Sequence, residues 1–448
     1  MIKEGLKKFQ ERKFCEALII FNNLIKLNPN DGDLLFTLAN IYYSLNDLNK
    51  SLLYFERSLK IFPESQTIMN NYGLTLQSLG QFDKAKELFK NLIRLDPKNI
   101  KAYYRLFRMS SENFEKDYLY KLKLLETSTN LDLEDKSLIN FIISKFEKNK
   151  NLENEIKFLN CAHEHQFNSR QLYNQKKIDF YTKIIANNYS NLNFLDKDTE
   201  VKLLKNKKPI FIIGLPRSGS TLIESLLTRN DQRLYSYGES SIFDISIFNQ
   251  IKKDILTKGY DSNNFEITVD KKIFLNSINN TYSYSNSELI IDKSLENFFY
   301  IDLILKIFPK AKFIHTFRNT LDNAIAIYQS MLIYMPWTHS MKNISNYILN
   351  YKKIINHFKK KYPEKILDID LEDFTNNPNI HSKRIFNFCN LRTTDNTLEL
   401  YNNKNLVSKT SSFMQVRNKI QKYDKNKYKS YYYLIDKNFD LSTCIPTL

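Results

Sequence analysis

The sequence predicts two architectures in series: an N-terminal helical solenoid, followed by a phosphate-loop-like α/β domain with a mainly parallel sheet. Three observations carry this reading. Phe21, Phe55 and Phe89 recur every 34 residues, as do Pro29, Pro63 and Pro97. Residues 209–227 read as a buried strand, a tight glycine loop and the opening of a helix. From Lys207 to about Asp370, short apolar runs then alternate with helical patterns, which implies βαβ units and a sheet covered on both faces. The predicted boundaries are 1–99 for the repeats, 100–203 for a helical cap and linker, and 204–448 for the α/β domain.

The period of the first segment is that of the tetratricopeptide repeat. Small residues at Gly5, Ala39 and Gly73, and at Ala17, Ser51 and Ala85, let the two helices of each unit approach. The phenylalanine packs between them, and the proline ends the second helix before the next unit begins. Ile25, Leu59 and Ile93 keep the same register. Such an array presents a concave surface suited to a peptide or partner protein, or else it buttresses the domain that follows. Beyond Ile100 the repeat decays while helical spacing persists, in Leu119, Leu122 and Leu125 and again in Ile139, Ile143 and Phe146.

Composition narrows the function classes. With 42% hydrophobic and 14% aromatic residues the chain is globular, which excludes a disordered scaffold. The net charge of +17 suits an anionic ligand or surface. However, a sequence rich in Lys, Asn, Ile, Tyr and Phe, with only 8 Gly and 10 Pro, bears the mark of nucleotide-composition bias, which supplies lysines without functional meaning. Cysteines at 15, 161, 389 and 444 form no Cys-x-x-Cys pair, so neither a disulfide framework nor a zinc site is indicated. A soluble protein of a reducing, cytoplasmic compartment is expected. Cys161-Ala-His163-Glu-His165 places only Cys161 and His165 on one helical face without a third ligand, so no metal is expected.

The chemistry is expected where motifs follow strands. Gly214-Leu-Pro-Arg-Ser-Gly-Ser-Thr221 has the glycine spacing of a phosphate loop at a helix N-terminus. The position where a nucleoside triphosphatase carries its lysine is Ser220, and the cation, Arg217, comes earlier. The loop lysine reaches the β- and γ-phosphates of a triphosphate, so its absence argues for a different donor. Phe313-Ile-His-Thr-Phe-Arg318 is a strand that delivers an arginine to the start of another helix. Arg318 suits a bidentate phosphate contact, or an ion pair with Asp322 one turn on. Leu289-Ile-Ile-Asp292-Lys293 ends a third strand, and Tyr237-Gly238-Glu239 lies where a second one ends. Glu239 is either a base or the cap of the next helix, and Asp292 competes as a Mg²⁺ ligand of Walker-B type. His315 is a rival base in mid-strand. The tyrosines and lysines of 423–433 suit a packed amphipathic helix or a single-stranded nucleic-acid contact.

Pro216-Arg217-Ser218-Gly219-Ser220-Thr221 resembles the 5′-phosphosulfate loop of sulfotransferases that use 3′-phosphoadenosine 5′-phosphosulfate. With the repeats in front, the chain is most similar to tyrosylprotein sulfotransferases and bacterial fusions of tetratricopeptide repeats with a sulfotransferase domain. The resemblance implies that residues 216–221 hold the donor, that Arg318 holds its 3′-phosphate and that Lys293 lies near the transferred group. It also implies that Glu239 is the general base and that Gln415 and Arg417 belong to a loop closing over the nucleotide. Ala326 departs from the family, which usually has a serine there. The implied activity is sulfuryl transfer to a hydroxyl acceptor, foremost a tyrosine in a protein or peptide held by the concave repeat surface, with no metal. A kinase-like P-loop phosphotransferase and a non-catalytic repeat scaffold with a decayed C-terminal domain are the competing readings.

Overall fold

A computed structural model describes residues 1–109, 114–127, 130–148, 150–194, 206–258, 267–392, 408–410, 414, 417 and 420–435, the side chains of 252–258 excepted. Helices α1 (Ile2–Gln10), α2 (Phe14–Leu27), α3 (Gly32–Ser44), α4 (Leu48–Ile61), α5 (Gln66–Ser78), α6 (Phe82–Leu95) and α7 (Ile100–Met109) stack as antiparallel pairs. Asp31 caps α3 by accepting from the N–H groups of Asp33 and Leu34, and Ser65 caps α5 through Ile68 N–H. Phe21, Phe55 and Phe89 are each buried to 1% exposure or less. Burying such a side chain contributes about 1.5–3 kcal/mol. At Gly5 and Gly73 a Cβ would lie 2.7 Å from the rings of Phe21 and Phe89, so the small residue is what admits the phenylalanine.

Four further helices follow: α8 (Lys116–Glu126), α9 (Leu133–Glu147), α10 (Leu152–Asn168) and α11 (Gln171–Asp179), the last running through a π-helical turn, Phe180–Ile184, into α12 (Ile185–Asn188). His163 of α10 is committed to structure: its Nε2 meets Tyr328 O at 2.8 Å and its Nδ1 faces His339 Nδ1 at 3.0 Å. Among the described residues no group of three or more His, Cys, Asp or Glu is placed to hold a metal ion.

The α/β part opens with β1 (Asn193–Phe194), which pairs in parallel with β4 (Thr268–Val269). Its main sheet contains β2 (Lys208–Gly214), β3 (Tyr235–Ser236), β5 (Leu289–Asp292), β6 (Lys312–Phe317) and β7 (Ile366–Asp370), all parallel, in spatial order β3-β5-β2-β6-β7. The helices between them are α13 (Ser220–Asn230), α14 (Ile242–Lys258), α15 (Lys271–Tyr282), α16 (Ile301–Ile307), α17 (Thr320–Ser330) and α18 (Met341–Lys361), and α19 (Leu371–Asn376) and α20 (Pro378–Cys389) follow the last strand. The chain leaves β2 toward β5 and β3 on one side, then returns to β6 and β7 on the other. The loop after β2 therefore sits at the topological switch point, where open α/β sheets bind ligands. Where the sequence suggests an amphipathic helix on the sheet, residues Lys429–Leu434 form a 3₁₀ turn that packs against α17 instead. One apolar cluster runs from Met69 of α5 through the linker helices into the sheet domain and out to Ile435. No helix among the described residues is long and apolar enough to cross a membrane.

Candidate active site

The loop after β2 is held by its neighbours rather than by itself. Gly214 has φ +141°, and a Cβ there would lie 2.2 Å from Thr316 O of β6, so the close approach of the two strands requires glycine. Ser218 donates to Leu215 O at 2.6 Å and shares a hydrogen bond with Thr316 Oγ1 at 2.9 Å, while Asn323 Nδ2 donates to Pro216 O at 2.7 Å. Residue Arg217 sits at φ +67°, in the left-handed region, and α13 starts at Ser220 with Gly219 as its N-cap. The first turn of such a helix leaves N–H groups without intrahelical partners and carries the positive end of its dipole. Burial depresses the Arg217 guanidinium; Tyr428 opposes this, while Arg108 and Arg318 nearby add repulsion. Cations gathered at a helix N-terminus are an arrangement that an anion relieves.

Pro216, Arg217, Gly219, Ser220, Thr221, Arg318 and Glu239 line a single cleft of about 530 Å³ at the carboxyl ends of the strands. A larger hollow of about 800 Å³ lies at the amino ends, lined by Lys208, Lys312 and Lys365 among others. Two of its lysines are engaged, Lys208 with Glu288 at 2.9 Å and Lys365 with Pro309 O at 2.8 Å, and neither the phosphate loop, Glu239, Lys293 nor Arg318 is among its lining residues. The smaller cleft is therefore the candidate site.

Arg318 enters it from the end of β6 and makes the expected ion pair with Asp322. Its Nη2 lies 3.6 Å from Asp322 Oδ2, and it donates to Tyr423 OH at 3.0 Å from Nη2 and 3.3 Å from Nε. The rings of Tyr423 and Tyr428 stand 4.7 and 5.3 Å from its guanidinium carbon. Asp322 in turn accepts from the Tyr423 and Tyr432 hydroxyls. Residues 420–428 thus roof the cleft. The only hint of this in the sequence is the interleaving of tyrosine with lysine. Thr410, in the 409–417 stretch whose resemblance implies a loop over the nucleotide, also lines the cleft and shares a hydrogen bond with Thr221 at 3.1 Å.

Glu239 occupies the opposite wall, half exposed, and accepts from Lys293 Nζ at 2.6 Å. It makes no cap to α14, whose first N–H, that of Ile242, is met by Ser240 Oγ at 3.3 Å. Lys293 is fully buried beneath Glu239, with Glu224 a further 3.7 Å from its ammonium. Burial opposes its charge, yet Glu239 and Glu224 together hold its pKa above the ordinary lysine value. For Glu224 burial dominates and pushes its carboxyl up, with Lys293 opposing. Asp292 has no capacity left over, since it accepts from Ser240 Oγ, Tyr282 OH, Ser294 N–H and Asn297 Nδ2. The rival base His315 is spent within the core, between Asp368 at 2.7 Å and the Tyr351 hydroxyl.

Of the remaining predicted residues, Ser218 is buried behind the loop and braces it. Arg417 lies away from the cleft, donating to Ser78 O at 2.8 Å and stacking over Phe82 of the repeats. Ala326 packs in the apolar core, and Gln415 falls outside the described residues.

Comparison with known proteins agrees with this division. Residues 209–395 match the Sulfotransferase family, and residues 32–65 and 67–99 match the tetratricopeptide repeat. An uncharacterised protein of Aquifex aeolicus (strain VF5) is 26% identical over 390 residues, covering 83% of this chain and 49% of that protein. The chain therefore spans about half the length of that relative. A CTR9 homolog of Arabidopsis thaliana is 30% identical over 91 residues, 20% of this chain and 8% of that protein. Among solved structures, the sulfotransferase domain of the Synechococcus PCC 7002 olefin synthase aligns with 17% identity and TM-score 0.37, over 52% of this chain and 92% of that one. Sulfotransferase STF1 of Mycobacterium tuberculosis H37Rv aligns with 13% identity and TM-score 0.30, over 64% and 92%. The chain thus joins tetratricopeptide repeats at 32–65 and 67–99 to a domain of the Sulfotransferase family at 209–395.

Proposed function

We propose that the protein transfers a sulfuryl group from 3′-phosphoadenosine 5′-phosphosulfate to a hydroxyl acceptor, foremost a tyrosine of a protein or peptide that the repeats recruit. The observation that carries this is the meeting of an anion-binding loop, a second phosphate-sized cation and a paired carboxylate in one cleft. Arg217 and the N–H groups of the α13 N-terminus fit a phosphosulfate, and Arg318 fits a second phosphate at the other end. Ser220 in place of the loop lysine, and an Asp292 committed to four internal hydrogen bonds, favour this donor over a magnesium-bound triphosphate.

In this reading Glu239 accepts the proton of the acceptor hydroxyl as its oxygen bonds to sulfur and the bond from sulfur to the 5′-phosphate oxygen breaks. A phenol has an ordinary pKa near 10, so it needs such a partner at neutral pH. Lys293 orients the Glu239 carboxylate and puts a fixed positive charge beside the transferring group. Arg217 and the helix N-terminus receive the charge that develops on the departing 5′-phosphate.

Glu239→Gln tests this. The amide keeps the shape but accepts no proton, so labelled-sulfate transfer to a tyrosine-containing peptide is expected to slow by about two to four orders of magnitude. The Kd for 3′-phosphoadenosine 5′-phosphate, by calorimetry, is expected to stay near the wild-type value. Unchanged transfer by the variant would refute the role of Glu239. Thermal stabilisation by ATP with Mg²⁺ equal to that by the 3′-phosphorylated nucleotide would refute the choice of donor.

A further inference from the structure

The loop that carries Glu239 is gripped from outside its own domain. Arg12, Asn46 and Gly80 stand 34 residues apart, each at the turn between the two helices of its repeat, and all three are left-handed, with φ of 61°, 66° and 79°. The first two reach across to the sulfotransferase-family domain. Asn46 Nδ2 donates to Ser236 O at 2.8 Å, and Arg12 Nη2 donates to Ser240 O at 3.2 Å. Tyr235 OH fixes the same edge by donating to Leu45 O at 2.7 Å. Glu239 lies between the two gripped carbonyls.

The loop needs such support. Gly238 and Ser241 are both at positive φ, 60° and 49°, which glycine adopts freely but which serine does not hold by local preference. Its internal ties run to the floor of the site: Lys293 N–H donates to Gly238 O at 2.8 Å, Ser241 N–H donates to Ser294 Oγ at 2.7 Å, and Ser236 Oγ donates to Glu224 at 2.5 Å. The outer side is held by the repeats. The third member of the row follows the same pattern of use, since the Arg417 guanidinium packs against Gly80.

We propose that Arg12 and Asn46 are positioning residues for Glu239, so that the edge of the repeat array formed by its turns is a working part of the active site. This rests on the reading of Glu239 as the base. A misplacement of about 1 Å is enough to slow a reaction on the order of a hundredfold, and a loop gripped on only one side permits that much.

Asn46→Gly and Arg12→Gly keep the left-handed backbone and remove only the reaching side chain. With labelled donor and a tyrosine-containing peptide, each is expected to lower kcat about tenfold or more, with the Kd for 3′-phosphoadenosine 5′-phosphate within about twofold of wild type. Amide exchange across 236–241 is expected to quicken, Arg12→Lys to recover part of the rate, and Arg57→Ala, which breaks contacts to Pro29 O and the Tyr54 ring within the array, to leave kcat unchanged. The deciding measurement is Asn46→Gly combined with Glu239→Gln: a residue that acts through Glu239 adds no further slowing once the base is gone. A double variant slower by the full Asn46→Gly factor, or single variants with unchanged kcat beside a slow Glu239→Gln, would overturn the proposal. A Glu239→Gln enzyme as fast as wild type would instead remove the base reading beneath it.

Discussion

The repeats and the sheet are built from contacts of different reach. In the array, Phe55 packs with Ala39 and Ile68, one helix away on either side, so each unit is finished by its neighbours. In the sheet, Lys208 pairs with Leu289 and Ile210 with Lys312, so no strand is complete until distant segments have arrived. The difference shows in what each region is good for. Short-range periodic contacts make a rigid frame that tolerates variation on its surface, whereas long-range parallel pairing brings unrelated loops to one edge and creates a site. The two are not independent here, because a single apolar cluster crosses from one to the other and the turns of the frame hold the loop of the site.

The strongest challenge to that coupling is Phe55→Ala, deep in the array. Emptying this site is expected to lower unfolding stability by about 3–5 kcal/mol. The chain has one tryptophan, Trp337, buried against Tyr347 with ring centroids 3.8 Å apart in the other region, so its fluorescence reports on that region alone. If the two regions unfold as one unit, the denaturation midpoints by circular dichroism and by Trp337 fluorescence move together; a fluorescence midpoint that stays put would show two separate folding units.

Arg217→Ala addresses the other side of the comparison, where chemistry sits on long-range contacts. Removing a preorganised positive group from the donor loop is expected to lower kcat/KM by about 10²–10³-fold. Unlike Glu239→Gln it is also expected to weaken the binding of 3′-phosphoadenosine 5′-phosphate, since a cation on donor oxygens acts in the ground state as well as the transition state. Calorimetry separates the two variants; intact nucleotide affinity in Arg217→Ala would place the donor elsewhere.

The smallest effect is expected from Tyr423→Phe. Its hydroxyl receives two hydrogen bonds from Arg318 and donates one to Asp322. Freed of that partner, Arg318 is expected to bind the nucleotide more tightly, by about 1 kcal/mol, measured as Kd. Weaker binding would mean that the tyrosine itself touches the donor.

Much of the frame was legible because its signal repeats: the phenylalanine, proline and small-residue positions state the period three times over, and the structure buries the phenylalanines and small residues while leaving the prolines exposed at the ends of the helices. The candidate site was legible in pieces, because the phosphate loop, Lys293 and Arg318 each follow a strand that the apolar runs already mark, while Glu239 follows only the two-residue strand Tyr235–Ser236. What joins the pieces was not. The pair formed by Lys293 and Glu239 links residues 54 apart, and the contact between Arg318 and Tyr423 links residues 105 apart. No local pattern encodes such distances. The row of Arg12, Asn46 and Gly80 is the instructive case, since its spacing is as regular as that of the phenylalanines, yet its meaning depends on what faces it.

By itself, then, the sequence determined the order of the two architectures, the length of the repeat and the chemical character of the loop after β2, because propensity, hydrophobic period and glycine placement act over a few residues to a few tens. Tertiary structure alone decided that Lys293 lies buried beneath Glu239, that Arg417 joins the repeats instead of the cleft and that the turns of the array hold the loop of Glu239. These follow from which surfaces meet once the apolar cluster has closed, and charge pairing and hydrogen bonding across such a meeting depend on distances that only the folded chain establishes.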